Sequence, residues 1–176
     1  MLPHDVKIRP ATAGDAPAVM DLLAQGFETY RRFAPQGWEP PVPETGSGLA
    51  MGELLVDPRV WYVVAEDERG HAGQCGFAPA HELRTMQGAR IPGMAHLWQL
   101  FVREDRWGSG LADELHARAL AEMRALGYEH ARLGTPVGQA RSRAFYEKRG
   151  WRTAPFSIKE PADLNGLELV EYRIEL

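Results

Sequence analysis

Apolar side chains recur at the spacing of an amphipathic helix in four parts of the chain. The pattern predicts helices over Ala11–Gln25, Gly48–Val56, Leu111–Leu126 and Gln139–Arg149. The third stretch shows it most clearly, because its apolar residues form one stripe with charged residues away from it. The stripe consists of Leu111, Leu115, Ala119, Met123 and Leu126. Gly127 follows directly and suits a C-terminal cap, so we expect the stripe to pack on a core.

Between these helices, apolar and polar residues alternate with the period of a β-strand. The alternation predicts strands at Val6–Arg9, Arg59–Glu66, His71–Ala80, Ala95–Arg103, Ala131–Thr135, Trp151–Ala154 and Leu167–Leu176. The second and third strands are expected to form a hairpin with a turn at Asp67–Gly70, and the polar segment Ala80–Gly93 is expected to be a loop. In the fourth strand, strict alternation places Leu100 on the same face as His96 and opposite Leu97.

The order of these elements predicts an α/β fold with a mixed sheet. A strand hairpin occupies the first half, and strands separated by helices, which favour parallel pairing, follow in the second half. The 176 residues suffice for one substantial core and are too few for two ordinary domains. We therefore expect a single domain spanning residues 1–176.

The charge of the chain and its cysteine content exclude several classes of function. A net charge of −4 and a pI near 5.9 argue against binding to nucleic acid, which needs clustered Lys and Arg. Cys75 is the only cysteine and the six histidines lack ligand spacing, so neither a disulfide nor a metal site is expected. No apolar run approaches the ~20 residues of a membrane helix, and the N-terminal sequence does not resemble a signal peptide. These features favour a cytoplasmic protein without a membrane partner.

A glycine-rich turn links the fourth strand to the third helix, in the segment Leu100–Ala112. Gly108 and Gly110 lack the Cβ atoms that would crowd a sharp turn, and Ser109 between them is small. Successive N–H groups can therefore converge on an anion at the positive end of the helix that follows. The turn is a candidate cradle for a diphosphate, although glycines also occur in many ordinary turns between strands and helices.

Two segments resemble motifs of the GNAT superfamily of N-acyltransferases. WGSGLA, which begins at Trp107, resembles the coenzyme A loop [QR]-x-x-G-x-[GA], and GQARSRAFYEKRGW, which begins at Gly138, resembles N-x-x-A-x-x-x-Y-E-K-x-G-[FW]. The resemblance implies a mixed, mostly antiparallel sheet with a parallel strand pair around an acyl-CoA site, flanked by helices. Trp107 replaces the usual Gln or Arg, Gln139 the usual Asn and Ser142 the usual Ala.

By this resemblance, acetyl-CoA is the expected cosubstrate. Main-chain groups of the fourth strand would pair with the pantetheine arm, the amides of the glycine loop would hold the diphosphate, and two residues of the last helix would add contacts. The implied residues are Leu100, Phe101, Val102, Trp107, Gly108, Ser109, Gly110, Leu111, Ala112, Gln139 and Ser142. The amide near Leu100 would also polarise the thioester carbonyl.

Two residues are candidates for proton transfer. Tyr146 occupies the tyrosine position of the second motif and can protonate or hydrogen-bond the departing thiolate. It can also be an aromatic residue that only packs between helix and sheet. His96 lies six residues before Val102, at a position where many family members have a Glu that acts as the general base. The His96 side chain can take a proton from the amine near neutral pH. The alternative is a structural histidine whose ring forms hydrogen bonds with backbone groups.

The loosely patterned segment after the first helix can contribute to the acceptor site. Tyr30, Phe33 and Trp38 are candidates for a substrate-binding wall, or they pack the loop on the core. The resemblance implies that an amine of a small molecule or peptide attacks acetyl-CoA directly in a ternary complex, because Cys75 has no nearby histidine to activate it as a nucleophile. The alternative is a catalytically silent acyl-CoA-binding domain. A homodimer is a further expectation, because the family often forms dimers.

Overall fold

The structure is a computed structural model that describes residues 5–42, 47–82, 86, 88–154 and 164–176. Its strands are β1 (Lys7–Pro10), β2 (Trp61–Asp67), β3 (Gly70–His81), β4 (Arg90–Val102), β5 (His130–Pro136), β6 (Arg152–Thr153) and β7 (Leu169–Glu175). Its α-helices are α1 (Ala16–Glu28), α2 (Ser47–Leu55), α3 (Leu111–Ala125) and α4 (Ala140–Glu147). Every predicted helix and strand is present, with ends shifted by at most five residues. Among the described residues, no helix is both long and apolar enough to cross a membrane.

The larger shifts at element ends have local causes. The Asp15 carboxylate accepts a hydrogen bond from the Thr12 N–H at 2.7 Å, and residues 13–15 form a 3₁₀ turn that delays the start of α1. The strand β4 begins early because Arg90 pairs with His81 of β3. The predicted loop Ala80–Gly93 is therefore shorter than expected, and residues 83–85 and 87 lie outside the described part.

The strands form one mixed sheet in the order β1-β2-β3-β4-β5-β7-β6. All neighbours are antiparallel except β4 and β5, which run parallel. The predicted α/β fold with a mostly antiparallel sheet and one parallel pair is thus confirmed. The parallel pair is short, since only Met94–His96 of β4 pair with β5. Beyond these residues the two strands separate.

A bulge in β4 changes the expected alternation of its side chains. Between Trp98 and Phe101, β4 contains one residue more than the facing segment of β3. Gln99 lies in the left-handed region with φ of 53°. The extra residue shifts every later side chain to the other face. Leu100 consequently packs on the same core cluster as Leu97, so the prediction that the two lie on opposite faces is wrong.

Helices cover both faces of the sheet. Alternate side chains of β2 separate into two clusters, as the period of a strand requires. Tyr62 and Val64 pack with α1 and α2, whereas Val63 and Ala65 pack with α3 and α4. The sheet is therefore a buried central layer.

A buried histidine anchors the α3 side of the core. The Trp151 indole Nε1–H donates a hydrogen bond to His116 Nε2 at 2.9 Å, and the two residues are 0% and 4% exposed. Burial, assisted by the positive charge of Arg149, lowers the pKa of His116 to about 4. His116 is therefore neutral in the folded protein at pH values where it would be protonated in the unfolded chain.

This lowered pKa predicts that stability falls as the solution is acidified. Below the unfolded pKa of about 6.5, the unfolded chain binds a proton that the folded protein excludes. The free energy of unfolding therefore falls by about 2 kcal/mol by pH 5, and the decrease is complete near pH 4. Urea unfolding of wild type and His116→Gln between pH 7.5 and about pH 5 measures the difference. Glutamine can still accept the Trp151 hydrogen bond without titrating, so the free energy of unfolding of His116→Gln should fall less than that of wild type. Parallel curves for the two proteins would contradict the assignment.

Candidate active site

A cleft opens where β4 and β5 separate. It has a volume of about 620 Å³ and is bounded by α1 on one side and α4 on the other. Its floor consists of residues 97–102 of β4 and 133–135 of β5. In the described part of the chain, these two segments do not pair with each other. Backbone N–H and C=O groups along the opening are therefore available to an extended ligand.

The cleft brings together ten of the sixteen residues that the sequence predicts for the site. They are Tyr30, Phe33, Leu100, Phe101, Val102, Trp107, Ala112, Gln139, Ser142 and Tyr146. The other six are absent from its lining, namely Trp38, His96, Gly108, Ser109, Gly110 and Leu111. The residues in the lining come from segments far apart in sequence, so the fold gathers them at one place.

The glycine-rich turn borders a second, smaller cavity of about 240 Å³. Gly108 and Gly110 line it and have φ values of 80° and 87°, which glycine adopts without steric cost. Leu111 is the first residue of α3; its side chain is buried in the core, and its N–H makes a long bond of 3.4 Å to Ser109 Oγ. The turn thus places backbone donors at the positive end of α3, where an anion is stabilised.

Trp107 stands at the junction of the two cavities and lines both. Its indole Nε1–H donates a hydrogen bond to the Val102 carbonyl oxygen at 2.9 Å. The guanidinium carbon of Arg141 lies 4.0 Å from the ring centroid, and that of Arg32 lies 5.5 Å away. Both are cation–π distances. Arg141 also lines both cavities, so the indole holds a positive charge beside the glycine turn.

A buried carboxylate fixes the segment between β4 and the glycine turn. Asp67 has a fully buried side chain and accepts hydrogen bonds from Arg103 Nη2 at 2.6 Å and Arg106 Nε at 2.7 Å. Burial alone would raise the pKa of Asp67, but hydrogen bonds from the two arginines and from the Arg69 backbone lower it to about 2. The ion cluster ties this segment to the end of β2, so the turn starts from a fixed position.

Tyr146 lies on α4 at the wall of the cleft and is 8% exposed. Its ring packs edge-on against Trp151, with centroids 5.8 Å apart. No hydrogen bond joins its hydroxyl to another described residue. Burial raises the pKa of Tyr146 well above its usual value, so the phenol keeps its proton at neutral pH. Tyr146 is therefore a protonated phenol at the wall of the cleft.

Gln139 and Ser142 lie beside Tyr146 and contact β5 through one buried hydroxyl. Thr135 Oγ1 lies 3.1 Å from Gln139 Oε1 and 3.0 Å from Ser142 Oγ. Thr135 is 4% exposed. These bonds fix the start of α4 against the end of β5 at the wall of the cleft.

Two predicted residues lie behind the cleft wall. His96 is 4% exposed and its ring centroid is 6.1 Å from that of Trp98, which does line the cleft. A role for His96 in proton transfer therefore requires an intervening water. Trp38 donates its indole N–H to the Leu164 carbonyl oxygen at 3.0 Å and packs on Tyr30, so it supports the aromatic wall from outside.

Several residues that line the cleft are missing from the sequence prediction, and Arg141 and Gln99 are two of them. Arg141 lies within the second motif, two residues after Gln139, and this position is the one signal that could have identified it. Gln99 occupies the bulge of β4 and accepts a hydrogen bond from the Tyr62 hydroxyl at 2.7 Å. No local pattern marks Gln99, because the bulge depends on how β3 and β4 pair.

Comparison with known proteins gives one matching family and many similar structures. The model of the acetyltransferase (GNAT) family matches residues 23–151. None of the curated proteins compared with the chain matches it. A GNAT-family acetyltransferase from Desulfovibrio desulfuricans is 22% identical, with a TM-score of 0.68, and the match covers 97% of this chain and 98% of that one.

Two further similar structures contain coenzyme A or its acetyl ester. The PaiA N-acetyltransferase of Thermoplasma acidophilum in complex with coenzyme A is 15% identical, with a TM-score of 0.72 and coverage of 97% of this chain and 99% of that one. The yncA protein of Salmonella typhimurium with its cofactor acetyl-CoA is 17% identical, with a TM-score of 0.72 and coverage of 98% and 95%. At these identities the similarity shows a shared fold.

Proposed function

Because the chain belongs to the GNAT family of acetyltransferases, we propose that it transfers the acetyl group of acetyl-CoA to a primary amine of a small molecule or peptide. Acetyl-CoA is the cosubstrate of the family. The observation that carries the proposal is the cleft between β4 and β5, which contains Tyr146 and adjoins, at Trp107, the smaller cavity that the glycine turn lines. An extended cosubstrate with an anionic end and a reactive end matches this shape.

The residues of the cleft fit each part of acetyl-CoA. The N–H groups of Trp107 and Ser109 already donate to the carbonyl oxygens of Glu104 and Arg106, at 3.1 and 3.2 Å. The diphosphate therefore lies against the other backbone amides of residues 107–112, with Arg141 as an added positive charge. The pantetheine arm lies along residues 100–102 of β4, where the chain offers unpaired backbone groups. Gln139 and Ser142 border this arm from α4. The Val102 carbonyl already accepts the Trp107 indole, so its second lone pair is the one left for the arm.

Three groups of the protein perform the transfer in this proposal. Acetyl-CoA supplies the activated acetyl group as a thioester. The N–H of Leu100, just after the bulge, donates to the carbonyl oxygen on which negative charge develops as the amine attacks. Tyr146 donates its proton to the departing sulfur. The amine loses its proton to a water molecule, which in turn passes a proton to His96.

The buried cysteine argues for direct transfer between the two substrates. Cys75 is 0% exposed, and burial raises the pKa of its thiol well above the usual value. A protonated thiol in the core cannot reach the cleft or act as a nucleophile. The acetyl group therefore passes from acetyl-CoA to the amine in a ternary complex.

The proposal is tested by incubating the purified protein with acetyl-CoA and a panel of primary amines. Released coenzyme A thiol and the mass of the acetylated amine are followed together. We expect both signals for at least one amine, in equal amounts. Tight binding of acetyl-CoA without turnover across the panel would instead support the silent acyl-CoA-binding domain.

Replacing His96 with alanine is expected to lower the rate at neutral pH and to flatten the acidic limb of the pH–rate profile. The reason is that the rate would no longer depend on the protonation of a single acceptor. The profile of kcat/KM against pH for the active amine measures this effect. His81→Ala, a histidine outside the cleft lining, serves as the control. An unaltered profile for His96→Ala would leave water as the proton acceptor.

A further inference from the structure

Gln99 holds a costly backbone conformation at the cleft. Its φ of 53° lies in the left-handed region, which a residue other than glycine adopts only at a cost in free energy. Glycine would fit this bulge without that cost. The position nevertheless carries a polar side chain, and that side chain lines the cleft.

Tyr62 fixes the orientation of the Gln99 amide. The Tyr62 ring is 4% exposed and its hydroxyl lies 2.7 Å from Gln99 Oε1. A Cβ atom on Gly76 would come within 2.3 Å of this ring, so the missing side chain there lets the ring reach its position. Burial raises the pKa of Tyr62 well above its usual value, so the phenol keeps its proton and donates it to the amide oxygen.

This bond leaves the Nε2 atom of Gln99 as the polar group that the side chain offers to the cleft. Nε2 carries two N–H donors, and no described residue accepts a hydrogen bond from them. Gln99 directly precedes Leu100, whose N–H faces the thioester oxygen in the proposed function. Because Gln99 also lines the cleft, its two donors suit an acceptor oxygen carried near the nitrogen that is acetylated.

The carboxylates that line the cleft are already paired with arginines. Among the described residues that line the cleft, the carboxylates belong to Glu28 and Glu104. Glu28 pairs with Arg31 at 2.8 Å and Glu104 with Arg32 at 2.5 Å. Apolar side chains such as Leu22 and Phe33 make up much of the wall. A second ammonium group would thus find no free carboxylate here, whereas an apolar body would be buried.

We propose that Gln99 determines acceptor specificity by donating an Nε2–H hydrogen bond to a carbonyl oxygen next to the attacked amine. The acceptor class is then an α-amino carbonyl compound with one amino group and an apolar side chain, and polyamines are disfavoured. This inference rests on the proposed acetyl transfer. Tyr62 is a positioning residue, since it acts through the Gln99 amide.

The test compares two amines that differ in the carbonyl group, phenylalanine amide and 2-phenylethylamine. The ratio of kcat/KM for phenylalanine amide to that for 2-phenylethylamine should be about 10-fold higher in wild type than in Gln99→Gly, the scale of one hydrogen bond. Comparing the two proteins at one pH cancels the different basicities of the two amines, and the change should come from a higher KM for phenylalanine amide. The melting temperature of Gln99→Gly should equal or exceed that of wild type, and its affinity for acetyl-CoA should be unchanged. Tyr62→Phe should give a smaller loss, because the amide remains but is free to rotate.

Asn165→Gly is the matched control, because Asn165 has a φ of 49° and does not line the cleft. It should leave the ratio between the two amines unchanged. An equal loss for both amines in Gln99→Gly, or a loss of acetyl-CoA affinity at an unchanged ratio, would overturn the inference. Wild-type protein that acetylates other primary amines but neither of these two would overturn the inference and leave the proposed function in place, whereas acetyl-CoA binding without turnover of any amine would overturn the proposed function.

Discussion

Replacement of Tyr146 by phenylalanine is expected to lower kcat by about 10²-fold or more, the scale of a general acid. The ring is packed against Trp151 and would stay in place, so the substitution removes little besides the hydroxyl. That hydroxyl is protonated at neutral pH because it is buried at the wall of the cleft. Without it, the departing thiolate must leave with no proton donor from the protein. Steady-state kinetics with the active amine measures the loss.

Acetyl-CoA affinity and thermal stability of Tyr146→Phe should remain close to those of wild type. Tyr128→Phe is the matched control, because Tyr128 is a partly buried tyrosine of the same core that does not line the cleft. It should keep full activity. If Tyr146→Phe turned over within a few fold of wild type, Tyr146 would be a packing residue and not the acid.

Replacement of Gly110 by alanine is expected to weaken acetyl-CoA binding by about 10- to 100-fold, which corresponds to one charge-assisted hydrogen bond. Gly110 lines the cavity beside the turn, and in the proposed function the diphosphate approaches the backbone amides there, so an added side chain would crowd it. Isothermal titration of coenzyme A into the folded variant measures the change. Pantetheine, which lacks the diphosphate, should lose little affinity.

The backbone conformation of Gly110 requires a control for strain alone. Gly127 has a similar φ, 81° against 87°, and a Cβ atom there would meet nothing within 4 Å. Gly127→Ala should therefore lose similar stability but keep its affinity for coenzyme A. Equal affinities in Gly110→Ala and wild type would show that the diphosphate does not bind at this turn.

The sequence predicts the second half of the fold well because its signals are local. Glycines at residues 108 and 110 mark a turn whatever the rest of the chain does, and the apolar stripe of α3 follows directly. Tyr146 is placed by a motif within a single helix. In each case neighbours in sequence determine the local structure, so a pattern of a few residues is sufficient to predict it.

The parts that the sequence misses depend on contacts between distant segments. The bulge at Gln99 is set by the register between β3 and β4, and it shifts Leu100 to the other face. Arg141 lies over the ring of Trp107, a contact between segments that are distant in sequence. The burial of His96 likewise follows from strands on both sides, since it pairs with residues of β3 and β5. Periodicity within one segment cannot reveal such pairings.

The separation of β4 from β5 also affects how the protein resists aggregation. Unpaired strand edges can recruit strands from other molecules, and proteins usually keep them short or covered. Here the two outer strands of the sheet, β1 and β6, contain four and two residues. The unpaired segment of β4 is longer, but it lies inside the cleft between α1 and α4. The two flanking helices therefore cover this edge, as native proteins commonly cover unpaired strands.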